Sequence, residues 1–255
     1  MKDFRKRPQR PKKNKLIAGV AAVLDALKNA QSLDRVYLAD SLPAATAKSI
    51  RSLAVDASVP VQVVPIVKLD SFNVGQHEGC IALKSRIVYQ SLQSVIDWAV
   101  GEGRLPLLLM LDGITDIRNI GGIARTAFCT GVDAIIIPDK GVGALQEDAI
   151  LTSAGALEKI AVCRVDSLVK AIDTMHLNGI RVYATQMNGQ LSIEKVDFTE
   201  PCCIIMGSEE KGIYPALLKN ADTTIFIPMK GDFDSFNVSV STGIILYQAM
   251  KQRLS

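Results

Sequence analysis

The chain has 255 residues, 48% apolar and 22% charged, which excludes a disordered polymer and fits a globular protein. Aromatics make up only 5% and Ala, Val, Ile and Leu dominate, which favours a layered α/β core over an aromatic-rich sandwich. The net charge of +3 conceals an asymmetry, because residues 1–15 alone carry eight Lys or Arg against one Asp, a net of +7, and the other 240 residues therefore sum to −4.

That basic segment, MKDFRKRPQRPKKNK, has two prolines and too few apolar groups to build a core, so it reads as a disordered tail. Two readings of it stand open: an arm that releases counterions from a polyanion, or a solubilising terminus. LIAGVAAVL follows, short for a secretory h-region and soon interrupted by Asp25 and Lys28. Leu16, Val20, Val23, Leu24 and Leu27 share a helical face, so residues 16–30 are expected to form a globular helix. No later run approaches the ~18 apolar residues of a membrane span. The five cysteines contain no CxxC pair and read as buried thiols of a reducing compartment, with a cytoplasmic location and no membrane partner.

VYLA (36–39) reads as a strand, and Ser41-Leu42-Pro43 opens a helix to about residue 58. VQVVPI (61–66) and GCIALK (79–84) complete a small α/β domain over 16–85. Residues 86–104 read as a connector helix. In 105–255, apolar strands at 106–111, 133–137, 160–164, 180–184, 202–206 and 223–227 alternate with helical segments near 120–130, 146–157, 166–178 and 236–252. Such alternation predicts a mostly parallel sheet covered on both faces.

Three of these strands run into loops rich in Gly and polar residues: 107–127, 203–213 and 227–250. Ligands of open parallel sheets bind outside the carboxyl ends of the strands, so the three loops are expected to converge on one pocket. Dinucleotide, P-loop, zinc-protease and nucleophile-elbow motifs are absent, and two histidines, His77 and His176, give no metal-ligand spacing. A nucleotide-dependent oxidoreductase is disfavoured by the missing glycine fingerprint.

Asn119-x-Gly121-x-x-x-Arg125, Gly207-Ser208-Glu209-x-x-Gly212, and Ile227-Pro228-Met229 with Gly231 and Ser235-Phe236-Asn237-Val238-Ser239-Val240 together resemble the three signature motifs of the SpoU (TrmH-like) RNA ribose 2′-O-methyltransferases of the SPOUT superfamily. Ile17-Ala18-Gly19-Val20-x-Ala22-Val23 and Gln76-His77-Glu78-Gly79 resemble the L30e-like substrate-binding domain that precedes many of them. Ser153-Ala154-Gly155-Ala156-Leu157-Glu158 matches another family stretch. Asp116-Ile117-Arg118-Asn119 stands where the family often has Asp-Pro-x-Asn, and Ala21 where it often has His.

The resemblance implies an N-terminal L30e-like RNA-binding domain and a trefoil-knotted C-terminal domain at 105–255. It also implies S-adenosylmethionine as cofactor and homodimerisation through the last helix, where Val240, Ile244 and Tyr247 form an apolar face. The expected partner is RNA, closest in flavour to a guanosine of 23S rRNA, with tRNA or a noncatalytic RNA-binding protein as alternatives. Arg125, Asn119, Glu209, Ser235 and Asn237 are the expected catalytic set. Gly207, Gly212, Ile227, Met229, Ser235 and Val238 are expected at the cofactor, with no metal. Asn119 is expected to cap the helix that carries Arg125, and His77 and Glu78 are candidates for RNA contact.

Overall fold

The computed structural model describes residues 16–29, 31–57, 59–139, 145, 147–231 and 235–254, so the basic tail expected at 1–15 lies outside the described residues. The chain divides into two units between Arg86 and Ile87.

In the first unit, β1 (Leu16–Ala18), α1 (Val20–Lys28), β2 (Leu33–Ala39), α2 (Ala44–Asp56), β3 (Val61–Val64), α3 (Ile66–Asp70) and β4 (Cys80–Lys84) follow in order. The sheet runs β1-β4-β2-β3, with β2 and β3 parallel and the other pairs antiparallel. Val23, Ala26 and Leu27 of α1 and Ile50 and Ala54 of α2 pack with Val36 and Leu38, while Leu69 of α3 packs with Ala39 and Ile81. The helix expected over 16–30 starts only at Val20. Leu16, Ile17 and Ala18 pair instead with Leu83, Ala82 and Ile81, and Gly19 at φ +97° turns the chain between strand and helix, a conformation that favours glycine. Backbone pairing wins there because a three-residue apolar run carries no period of its own.

The second unit contains α4 (Leu92–Gly101), β5 (Leu107–Leu111), α5 (Ile117–Cys129), β6 (Ala134–Pro138), α6 (Glu147–Thr152), a 3-10 turn at Ala156–Glu158, β7 (Ala161–Val165), α7 (Leu168–Leu177), β8 (Arg181–Thr185), β9 (Leu191–Ser192), β10 (Cys202–Met206), α8 (Pro215–Asn220), β11 (Thr223–Phe226) and α9 (Val238–Arg253). The sheet order is β7-β6-β5-β10-β8-β11-β9, and each of these pairings is parallel. This is an α/β fold with a parallel sheet.

Successive strand side chains point to opposite faces, and both faces of this sheet are covered. Leu107, Leu109 and Leu111 face α5, α6 and α9. Leu108 and Met110 face α4, α7 and α8. The strands therefore read as unbroken apolar runs, as expected for strands buried on both sides. Most of the segment expected as a connector packs within this unit. Tyr89 forms a parallel bridge with Val162, Gln90 N–H donates to Val162 O (2.9 Å), Ser91 caps α4, and Leu92, Val95 and Ile96 pack under the sheet. Among the described residues, no helix is long and apolar enough to cross a membrane.

Four of the five cysteines (Cys80, Cys163, Cys202 and Cys203) are buried free thiols; Cys129, at the end of α5, is exposed, contrary to the expectation that all five are buried. Burial pushes Cys80 and Cys163 up from the ordinary 9.0 to about 12, Cys202 to about 11, and Cys203 well above its ordinary value. Because these folded values lie above the unfolded one, the associated stability is fully present below pH 9.0 and is lost as pH rises towards about 11–12. A thiol reagent at pH 8 should modify Cys129 alone in the native protein and the other four only in denaturant. Urea melts should show stability falling above about pH 9, and substituting Cys129 should leave that slope unchanged.

Candidate functional site

The site is assembled at the carboxyl ends of β5, β8, β10 and β11. After β5 the chain turns at Gly113 and enters α5. Asp116 caps that helix, its carboxylate accepting the Arg118 N–H at 2.8 Å. This bond and the Arg118 guanidinium hold Asp116 below the usual carboxylate range. Asn119 is therefore not the cap. It sits in the first turn of the helix, and its amide is free to reach across to the other loops.

That reach creates a polar node. Glu209 Oε1, in the loop after β10, accepts from Asn119 Nδ2 (3.3 Å), Asn237 Nδ2 (2.6 Å) and the Val238 N–H (3.2 Å). Asn237 also donates to Asn119 Oδ1 at 3.1 Å. Asn237 Oδ1 in turn caps α9, accepting from Ser239 N–H (2.9 Å) and Ser239 Oγ (2.6 Å). Every donor and acceptor direction is consistent with one orientation of each amide. Three expected catalytic residues, one from each motif, thus form one hydrogen-bonded unit.

Beside the node lies a cavity of about 470 Å³, lined by the loop after β10 (206–213), the loop after β11 (227, 229, 235 and 236), the loop after β8 (185–188), and residues of α8 and α9. Its size lies within the ~300–1,000 Å³ of small-molecule sites. Gly207, Gly212, Ile227, Met229, Ser235 and Val238, the six residues expected at a cofactor, all line it. Gly207 is there because nothing larger fits: an added Cβ would stand 2.4 Å from the Gly212 carbonyl carbon and 2.5 Å from Ile213 N. The loop is folded tightly on itself, with Ser208 N–H donating to Gly212 O (3.1 Å) and Gly212 N–H to Ser208 O (2.8 Å).

The convergence differs from the expectation in three ways. The loop after β5 does not line the cavity and contributes through Asn119. The loop after β8, Thr185-Gln186-Met187-Asn188, takes its place; sequence reasoning missed it, together with Phe236, although a strand ending near 184 already implied a loop at the same sheet edge. Arg125 is exposed, lies outside the cavity lining, and makes no hydrogen bond or ion pair among the described residues. Six residues beyond Asn119, it is about 9 Å further along the helix and about 120° around it.

Ser235 is exposed at the cavity. Residues 232–234 of the third motif lie outside the described residues. His77 and Glu78 line a separate cavity of about 420 Å³ in the first unit. Their polar atoms serve the fold: His77 Nδ1 accepts the Gly79 N–H (3.1 Å), which leaves the proton on Nε2 to donate to Asp70 Oδ1 (2.9 Å), and Glu78 accepts the Val20 N–H at 3.0 Å. His176 Nε2 lies 3.0 Å from Asp222. Among the described residues, no group of three or more His, Cys, Asp or Glu could hold a metal ion.

The node makes a separable prediction. Asn237→Ala removes a helix cap and should cost about 1–2 kcal/mol in urea unfolding. Asn237→Ser should restore most of that stability, because Ser also caps, yet it cannot bridge Asn119 and Glu209. If small-molecule binding at the cavity is weakened in both variants while stability recovers only in the second, the node shapes the site independently of the helix.

The cavity suits S-adenosylmethionine: apolar walls from Ile227, Met229, Leu218 and Ile245 for a purine, and loop backbone to meet its polar edge. The model of the SpoU rRNA Methylase family matches residues 106–247. YacO of Bacillus subtilis (strain 168), named as a TrmH family tRNA/rRNA methyltransferase, is 31% identical over 237 residues, covering 93% of this chain and 95% of YacO. The solved SpoU methyltransferase AviRb of Streptomyces viridochromogenes, in complex with AdoMet, shares the fold at TM-score 0.59 and 21% identity over 94% of this chain and 90% of AviRb. The TrmH/SpoU tRNA modifying enzyme of A. aeolicus is 30% identical at TM-score 0.53, covering 59% of this chain and 77% of that one. With the family model spanning more than half of its length, and a relative at 31% identity along nearly all of it, the chain belongs to the SpoU rRNA methylase family.

Proposed function

We propose that this protein methylates a ribose 2′-hydroxyl of RNA, with a guanosine of 23S rRNA as the first substrate to test. The observation that carries the reading is the Asn119–Glu209–Asn237 node at the edge of the 470 Å³ cavity. A pocket that only binds has no need of three motif side chains locked to one another beside it. S-adenosylmethionine, when bound, supplies an electrophilic methyl group. The chain's own residues do the rest.

The loops 207–213 and 227–229 hold the cofactor, and Glu209, fixed by three donors, keeps those loops in register with α5 and α9. Ser235, exposed at the cavity, offers a hydrogen bond at the reacting centre, while Asn237, its amide engaged by Glu209, Asn119 and Ser239, holds the surrounding loops in place. Arg125, exposed and uncommitted, is placed in this reading against an RNA phosphate. There its positive charge lowers the cost of negative charge growing on the attacking oxygen, whose proton passes to solvent as the methyl group is transferred and the demethylated thioether leaves.

The same reading takes residues 16–85 as an L30e-like RNA-binding unit, a trefoil knot in which the third loop threads past the second, and a cytoplasmic homodimer. The meeting of Glu209 with Asn237 and Val238 supports the threading. Exposed Val240 and Tyr247 on α9, opposite the buried Ile245, Leu246 and Ala249, support the dimer. A tRNA substrate is the second reading, favoured by the A. aeolicus relative, which is named as a tRNA modifying enzyme.

Incubating the protein with methyl-labelled S-adenosylmethionine and total RNA from cells lacking it, then mapping 2′-O-methyl positions, tests the proposal. One labelled ribose is expected, with kcat reduced about 10²–10³-fold in Arg125→Ala. Label on a base, or cofactor binding without transfer to either RNA class, overturns it. Deleting residues 1–15 should weaken RNA binding and flatten its salt dependence, since fewer counterions are released; an unchanged slope removes the tail from the interface.

A further inference from the structure

The loop 207–213 is held at its middle by Glu209, which takes donors from Asn119, Asn237 and Val238, but these bonds do not fix where the loop begins and ends. Its two ends are tied to a single residue outside it. Asp112 follows β5, the strand that pairs with β10 from Leu107 opposite Cys202 to Leu111 opposite Met206. The Asp112 backbone N–H donates to Met206 O at 2.9 Å, the last strand residue before the loop. The Asp112 side chain reaches the other end, with Oδ2 accepting the Tyr214 N–H at 2.7 Å. Tyr214 is the residue that precedes α8, so its N–H is the first backbone donor after the loop. The next residue on the β5 side, Gly113, packs near Ser208: an added Cβ would stand 3.6 Å from Ser208 Cβ.

We infer that Asp112 is a positioning residue for the cofactor loop: it fastens both ends of 207–213 and so sets where Gly207 and Gly212 face the cavity and where Glu209 meets Asn119 and Asn237. The inference rests on the cofactor reading of the cavity. Asp112 does not line the cavity itself, so its influence runs through the loop. The bond is geometrically selective. A carboxylate or an amide oxygen can accept from Tyr214, whereas a methyl group cannot, and removal frees one end of a loop that the Ser208–Gly212 pair holds only internally. A displaced loop weakens cofactor binding and also shifts Glu209, so both binding and turnover respond.

The experiment compares wild type, Asp112→Ala and Asp112→Asn by titration with S-adenosylmethionine, by amide hydrogen exchange across 206–214, and by methyl-transfer kinetics. Asp112→Ala is expected to raise Kd and KM for S-adenosylmethionine about tenfold and to speed exchange at Tyr214 and Gly212, with thermal unfolding essentially unchanged. Asp112→Asn is expected to return all three readouts to within about threefold of wild type. A general loss of stability would move the melting temperature and would not be rescued selectively at the loop. Unchanged exchange and unchanged Kd in Asp112→Ala overturn the inference, as does a failure of Asp112→Asn to rescue. If wild type binds no S-adenosylmethionine, the cofactor reading fails, and the exchange result alone then decides whether Asp112 anchors the loop.

Discussion

One carboxylate oxygen, Glu209 Oε1, gathers N–H donors from Asn119, Asn237 and Val238, residues 90, 28 and 29 positions away along the chain. A bond of this kind is charge-assisted and stronger than one between neutral groups. Its larger effect is geometric. It ties the start of α5, the loop after β10 and the start of α9 into one arrangement. Those three segments leave different strands of the same parallel sheet, and their relative positions decide whether a cavity exists between them. Asn237 serves two structures at once, as cap of α9 and as bridge of the node, so the helix that packs on α5 cannot shift without disturbing the site.

The sheet makes this possible. β10 lies between β5 and β8 with all five of its residues buried, and its loop therefore emerges between the β5 segment that leads to Asn119 on one side and the loops of β8 and β11 on the other. The cavity needs no special chemistry to be found there; a parallel sheet delivers every strand's carboxyl end to one side. What is special is the compactness of the loop after β10. Gly207 lies against the backbone of Gly212 and Ile213, an approach that only a residue without Cβ allows.

The alternation of strands and helices in the second unit was legible because both faces of its sheet are covered, which produces runs such as Leu107–Leu111 that admit few other readings. The crowding of glycines and polar groups at the strand ends showed where a pocket would form, whereas the six residues expected at a cofactor came from the resemblance of the three motifs. Other features hid for identifiable physical causes. Leu16–Ala18 pairs with a strand more than sixty residues away, and no local pattern announces that. Asn119 resembles a cap until Asp116, three residues earlier, takes the role and frees it for the node. Thr185–Asn188 looks like an ordinary polar turn, since its significance lies in which strand it follows. Cys129 falls off the buried face defined by Ile120, Ile123, Ala124 and Ala127, a displacement that counting residues by 3.6 could have revealed. The same count separates Arg125 from Asn119 by about a third of a turn, so their presence in one motif never required a shared pocket.

The central place of β10 has a cost during synthesis. β5 can pair with β6 as soon as both have emerged, but its other edge faces Cys202–Met206, roughly 95 residues later. At about 5–20 residues per second the ribosome needs roughly 5–20 s to deliver that strand. Throughout the interval the nascent chain carries an open, apolar strand edge able to pair with any extended peptide nearby. The feature that centres the ligand loop in the finished protein thus leaves the half-made protein with one unpaired strand edge until β10 arrives.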